Sequence, residues 1–326
     1  MLVKIFRANY FYNFMLFPII GALLLLGTFM NGETLNIDEI KHNTPFSLSL
    51  FSFELPFKVA VVLNFVTMMV ICFLLLHLNA RFAFAIERTF LPVYFFLFIV
   101  YAIPDLHVIH PIFIAAIFII LTIRRLFDSY EKRLAISNAF DSGVLIGIGA
   151  VFYFPVVMLI FLIPIALIVI RIKVEWRELV LPFLGLMLPW LIIMAYFFLF
   201  DDIGRFNNLF LNIFTIQHAV FFNHWAIYVY AIYLALLTLI SSIFIIQQYG
   251  LMNIGSRRFF KIFSFIFATT CLLFLIPFVS FEIIVIMTIP LTFLLTNYFI
   301  FIKRRFWAEL FMIVLMVFSF ALQYII

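Results

Sequence analysis

The Lys and Arg residues of this chain fall at alternate ends of its apolar segments, and that alternation dictates how the chain can be threaded. Lys4, Arg7, Arg81, Arg88, Arg124, Arg125, Lys132, Arg133, Arg171, Lys173, Arg177, Arg257, Arg258, Lys261, Lys303, Arg304 and Arg305 form one set, and of the twenty basic residues only Lys41, Lys58 and Arg205 fall on the other side. Basic loops are retained in the cytoplasm, so the larger set is expected inside, with the N-terminus. With 67% of residues hydrophobic and 11% charged, a soluble core could not enclose the apolar surface. The solvent of this chain is lipid.

A helix crossing about 30 Å of hydrocarbon uses about 20 residues, so 326 residues leave little for loops and no room for a separate soluble domain. The spans are expected near residues 12 to 30, 57 to 78, 90 to 103, 111 to 123, 179 to 200, 225 to 246, 262 to 278, 283 to 302 and 307 to 326. They lack the short alternation of barrel strands and must satisfy their amides internally, which makes them helices. The run after Lys4 and Arg7 is read as an uncleaved signal anchor, because no small-x-small cleavage site precedes Asn31.

The stretch from Asn138 to Ile170 has basic residues at both ends and must therefore cross an even number of times. It is too short for two full passes but suffices for two short helices turning at Phe152, Tyr153, Phe154 and Pro155, a hairpin expected inside the bundle. Counting it as two, the fold class is all-α, a polytopic transmembrane bundle of about eleven helices forming one domain over residues 1–326, N-in and C-out. The expected location is the cell inner (plasma) membrane, with membrane lipids as partners.

Placing Lys and Arg for topology already accounts for the net charge of +5, so no nucleic-acid partner is implied. Cys72 and Cys271 lie within spans without CxxC spacing and read as packing residues. Gly143 and Gly147 fall on one helix face, where small residues allow close helix approach in lipid. Asn64, Thr67, Thr269, Thr270 and Asn297 are expected to hydrogen-bond between helices.

Residues able to do chemistry gather on the expected external side: His42, His107, His110, His218 and His224, with Glu33, Asp38, Glu39, Glu54, Asp105, Asp201, Asp202 and Glu282. Asp105, His107 and His110 could set a carboxylate and two imidazoles on one turn. An HxxH between Pro104 and Pro111 has no helical frame, however, and no metal site is expected there. Arg205 could hold a lipid phosphate through two parallel hydrogen bonds or pair with Asp201 or Asp202.

Asn36-Ile37-Asp38-Glu39-Ile40 directly after the first span, followed by Phe140-Asp141-Ser142-Gly143, Gly147, Gly149, Phe154-Pro155 and Arg171, resembles the GT-C superfamily of lipid-phosphate-sugar-dependent glycosyltransferases over about the first 200 residues. The likeness is one of order and topology; the position before Pro155 that is often Lys in that superfamily is Phe154 here, and the first external loop is shorter. The same hairpin, Phe-Asp-x-Gly then Phe-Tyr-Phe, resembles that of a family of uncharacterised bacterial inner-membrane proteins. The GT-C resemblance implies an N-terminal module over residues 1–200, C-terminal helices over 225–326 and a polyprenyl-phosphate-linked substrate on the external face. It implies Asp38 as catalytic base or cation ligand, with Glu39 and Asp105 in support; Arg205, His107 and His110 are read as substrate-binding. No cofactor is implied beyond a divalent cation. The competing readings are a non-enzymatic assembly subunit and a lipid flippase or transporter; a proton- or sodium-coupled carrier is disfavoured, because ionisable groups sit near span ends rather than at the midplane.

Overall fold

A computed structural model describes residues 2–7, 11–31, 56–82, 89–130, 132, 134–171, 173–200, 204, 210, 225–276, 279–302 and 305–325. Among them there is no strand. A short α1 (Leu2–Arg7) is followed by eleven helices: α2 (Phe11–Asn31), α3 (Phe57–Phe82), α4 (Leu91–Val100), α5 (Pro111–Phe127), α6 (Ile136–Phe152), α7 (Leu162–Ile170), α8 (Trp176–Leu199), α9 (Trp225–Gln248), α10 (Ile254–Leu273), α11 (Ile284–Phe301) and α12 (Arg305–Ile325). Tight 3-10 turns occupy Pro104–His107, Phe154–Phe161, Tyr249–Leu251 and Phe281–Ile283.

Among the described residues, six segments are long and apolar enough to cross a membrane: Tyr12–Met30, Phe57–Phe82, Trp176–Leu199, Trp225–Gln248, Phe281–Phe301 and Phe306–Gln323. The chain is a multispanning membrane protein. The remaining helices are shorter or more charged. At about 1.5 Å per residue, α4 spans only half of the ~30 Å hydrocarbon layer. A helix that short would leave its ends unsatisfied in lipid, so it needs a protein sheath. It has one: every residue of α4 is buried, as is nearly all of α11 beside it. The Phe98 carbonyl of α4 accepts hydrogen bonds from Tyr230 of α9 at 3.3 Å and Ser319 of α12 at 2.8 Å, tying the sheath to the core.

The hairpin forms as the charge argument requires. α6 leads out, the chain turns at Tyr153, and the 3-10 segment and α7 lead back. Its placement differs from expectation in one respect: Phe161, Ile165 and Ile168 are exposed, so the return arm lines the outside of the bundle. That costs nothing in hydrocarbon, because the exposed side chains are apolar. α6 is the buried arm, wedged between α5 and α8. Its contact with α8 depends on glycine. An added Cβ at Gly143 would overlap the Pro182 carbonyl, and one at Gly185 the Phe140 carbonyl; at Gly147 it would lie 2.8 Å from the Leu186 carbonyl oxygen. Two backbones in direct contact gain dispersion energy where no hydrophobic effect operates.

The two ends of the bundle differ in chemistry. At one end Arg81 pairs with Asp128 at 2.8 Å, Arg258 donates to the Ile170 carbonyl, and buried Arg171 pairs with buried Glu178. Glu178 also accepts the Ala135 amide at 2.7 Å and the Glu175 amide at 3.2 Å, which clamps the starts of α6 and α8 to the end of α7. This is the basic end. The opposite end gathers the turn 101–110, the hairpin turn and the segment leading into α11.

Of the polar groups expected to link helices, Asn64 does bond outside its helix. The hydroxyls of Thr67, Thr269 and Thr270 instead return to carbonyls three and four residues back in their own helices. A Thr hydroxyl in a helix always has such a carbonyl within reach, so interhelical bonding has to compete with it.

Candidate functional site at the polar end

Asp105 opens a 3-10 turn between α4 and α5, where Pro104 presets the turn and Pro111 starts the next helix. The side chain of Asp105 is exposed, while those of Leu106, His107 and His110 around it are buried. The turn is pinned from several sides. Asn64 of α3 donates to the Leu106 carbonyl at 2.7 Å, and Gln323 of α12 donates to the Tyr101 carbonyl at 3.2 Å. His107 donates through Nε2 to the same Tyr101 carbonyl at 2.9 Å, and its Nδ1 meets the Thr28 hydroxyl of α2. Burial holds His107 neutral, pushing its pKa down to about 4, so Nδ1 accepts from Thr28. Both ring nitrogens are thus used inside the fold, which leaves His107 a structural role rather than the substrate contact expected from the sequence.

His110 is also occupied, but as one half of a buried ion pair. Its Nδ1 lies 3.0 Å from Glu282, which enters α11. Burial works against the His110 charge, yet Glu282, together with the charge and backbone carbonyl of Asp105, outweighs it and holds the imidazole above its ordinary value. Glu282 accepts further from the Ser280 hydroxyl at 3.1 Å, and the Tyr153 hydroxyl lies 3.1 Å from that of Ser280. A chain of hydrogen bonds therefore runs from the hairpin turn through the start of α11 to the Asp105 turn. Three irregular segments become one rigid floor.

Glu282→Gln should remove the countercharge from a buried imidazolium and lower stability by about 3 kcal/mol or more, the usual cost of breaking a buried pair. A raised His pKa stabilises the fold below the unfolded value of about 6.5, and that contribution is lost as pH rises through the folded value. The wild-type melting temperature in detergent should therefore fall as pH rises past that point, and in Glu282→Gln this fall should vanish. An unchanged pH profile would mean that the pair is neutral.

Asp38, Glu39 and Arg205 lie outside the described residues. In chain order Asp38 and Glu39 fall between α2 and α3, and Arg205 between α8 and α9. Phe210, from the second of these segments, packs edge-on against Trp190 of α8 and Phe154 of the hairpin turn, each at 6.4 Å between ring centres. The described carboxylates at this end are Asp105 and Glu282, and only Asp105 is exposed. No three His, Cys, Asp or Glu side chains converge as a cation site among the described residues.

No family model, curated protein or solved structure matches the chain. Its chemistry has to be read from its own residues. Tyr153, Ser280 and Glu282 were not legible as a site in the sequence, because they lie far apart in the chain and two are uncharged. The one available signal was a lone Glu282 at the mouth of an otherwise apolar run.

Proposed function

We propose that this multispanning protein serves envelope biogenesis in the inner membrane, working at its polar end on a polyprenyl-phosphate-linked substrate as a GT-C-like glycosyltransferase. The observation that supports the reading is Asp105, the exposed carboxylate of this end among the described residues, on a turn held by Asn64, His107 and His110. Catalysis needs a group held in place before the substrate arrives, and rigid elements hold one better than a free loop does. Asp105 takes the part of general base for an acceptor hydroxyl, with Asp38 and Glu39 arriving from the segment between α2 and α3, and Arg205 meeting the lipid phosphate. A divalent cation would bind among these carboxylates and offset the charge of the leaving phosphate.

A second reading, a non-enzymatic assembly subunit, is favoured by one feature: the buried polar groups of this end bond to one another rather than toward a ligand. Membranes containing the protein, given a polyprenyl-phosphate-linked sugar and an acceptor, separate the two. Transfer that disappears in Asp38→Asn and in Asp105→Asn supports the enzyme. Absence of transfer by the wild type, with both variants complementing a deletion, supports the assembly subunit.

A further inference from the structure

α9 and α10 are joined by the short turn Tyr249–Leu251 and both pack on α11, yet they make little contact with each other. A cleft therefore runs between them, with α11 as its floor. Ser241 of α9 donates to the Leu294 carbonyl, and further along Phe244 meets the Tyr298 ring at 5.3 Å, so α9 runs parallel to α11. α10 turns back and runs antiparallel, stacking Phe263 on Phe293 at 4.7 Å. Asn297 follows Phe293 by four residues and Leu294 by three, so it projects between the face that meets α10 and the face that meets α9. It is 1% exposed, and neither its Nδ2 nor its Oδ1 has a hydrogen-bond partner among the described residues. An unbonded buried amide is costly, which marks the position as serving something other than packing. Because α9 and α10 barely touch, what separates this amide from the lipid side is side chains rather than backbone.

Two cations stand where the turn closes the cleft. Arg257 and Lys261, one helical turn apart on α10, both lie over the ring of Tyr249, at 5.5 and 5.8 Å from its centre. Arg257 is set there by donating from Nε to the Met252 carbonyl at 2.8 Å and from Nη2 to the Gly250 carbonyl at 2.9 Å. Lys261 is exposed. Like charges at this spacing repel each other. Elsewhere at the basic end guanidinium groups meet carboxylates, as Arg81 meets Asp128 and Arg171 meets Glu178; among the described residues no carboxylate pairs with Arg257 or Lys261. Counted from the Phe263–Phe293 contact at about 1.5 Å per residue, Asn297 lies about 6 Å toward the turn, between Lys261 at about 3 Å and Arg257 at about 9 Å. We propose that the α9–α10 cleft binds an anionic phospholipid, with its phosphate between Arg257 and Lys261, a headgroup or ester oxygen on the Asn297 amide and an acyl chain along the two helices. The walls suit such a chain: no charged residue occurs in α9 or from Ile262 to Leu273 of α10. Clustered cations at the end of an apolar cleft match a ligand with an anionic head and a hydrocarbon tail. The inference is independent of the transferase reading.

The test places a bimane fluorophore at Gln247→Cys, an exposed position beside Tyr249, or at Trp176→Cys, an exposed position at the basic end of α8, each in a Cys72→Ala/Cys271→Ala background. The full chain is reconstituted in phosphatidylcholine vesicles and titrated with phosphatidylglycerol or phosphatidylcholine carrying a nitroxide near the top of one acyl chain. Residue 247 should be quenched by phosphatidylglycerol at a mole fraction about tenfold lower than by phosphatidylcholine, as two cations at a lipid surface allow, and residue 176 should show a smaller preference. Lys261→Gln, which removes a charge but no hydrogen bond, should cut the preference at residue 247 by up to about fivefold, and Arg257→Gln/Lys261→Gln should abolish it. Asn297→Leu should weaken phosphatidylglycerol binding by about fivefold, the weight of one hydrogen bond. Should either of the last two variants fail to fold, Lys261→Gln decides alone. The proposal is overturned if residue 247 shows no preference or only that of residue 176, if the preference survives these substitutions, or if millimolar inorganic phosphate abolishes it, which would mark a site for free phosphate.

Discussion

Under the proposed transferase activity, Asp105→Asn is expected to reduce sugar transfer by two to four orders of magnitude, the range that follows loss of a general base, while leaving the fold intact. The side chain is exposed, and the turn is held by the Leu106 and Tyr101 carbonyls, by His107 and by the His110–Glu282 pair, from which the substitution removes the lesser charge of Asp105 while Glu282 stays in place. The amide keeps the size of the carboxylate but can neither accept the acceptor proton nor carry a full negative charge. Transfer rates in membranes, normalised to protein with an unchanged melting temperature, measure the effect. Wild-type transfer by the variant would leave the carboxylate without a catalytic part.

Gly143→Leu should prevent assembly of α6 against α8. Even the first added carbon would overlap the Pro182 carbonyl, and a carbonyl in a helix cannot rotate away as a flexible side chain can. The helices must separate along their whole contact, so the cost should exceed the usual 1 to 3 kcal/mol of overpacking, and little folded protein should survive extraction. Gly147→Leu meets the Leu186 carbonyl and the Pro189 ring less closely, at 2.8 and 3.0 Å, and should cost about 1 to 3 kcal/mol. Size-exclusion profiles and melting temperatures in detergent would rank the two variants. Equal behaviour would mean that the close approach of the backbones carries no weight.

Helix positions were legible in the sequence where apolar runs end at charges or at Pro. Residues 57 to 78 and 225 to 246 were expected as spans, and the helices are Phe57–Phe82 and Trp225–Gln248. The span expected over 262 to 278 begins earlier and ends sooner, at Ile254–Leu273. Arg257, Arg258 and Lys261 looked like loop residues, but cationic side chains can extend from a helix toward water and do not interrupt it. The hairpin followed from its two basic ends. The rigid floor did not, since nothing local to His110 or Glu282 says that they meet. Asp105, read from the sequence as a supporting carboxylate, sits on a turn whose neighbours are fixed, whereas both nitrogens of His107, read as substrate-binding, are used inside the fold.

Sidedness tests the account most directly, because it requires the floor and the basic end to face opposite compartments. Single cysteines at Asp105 and Lys173, in the Cys72→Ala/Cys271→Ala background, would be exposed to a membrane-impermeant maleimide on intact cells and again after lysis. The predicted result is that residue 105 is labelled on intact cells and residue 173 only after lysis. Labelling of residue 173 on intact cells, with residue 105 protected until lysis, would invert the topology and place the carboxylate where no externally presented substrate could reach it.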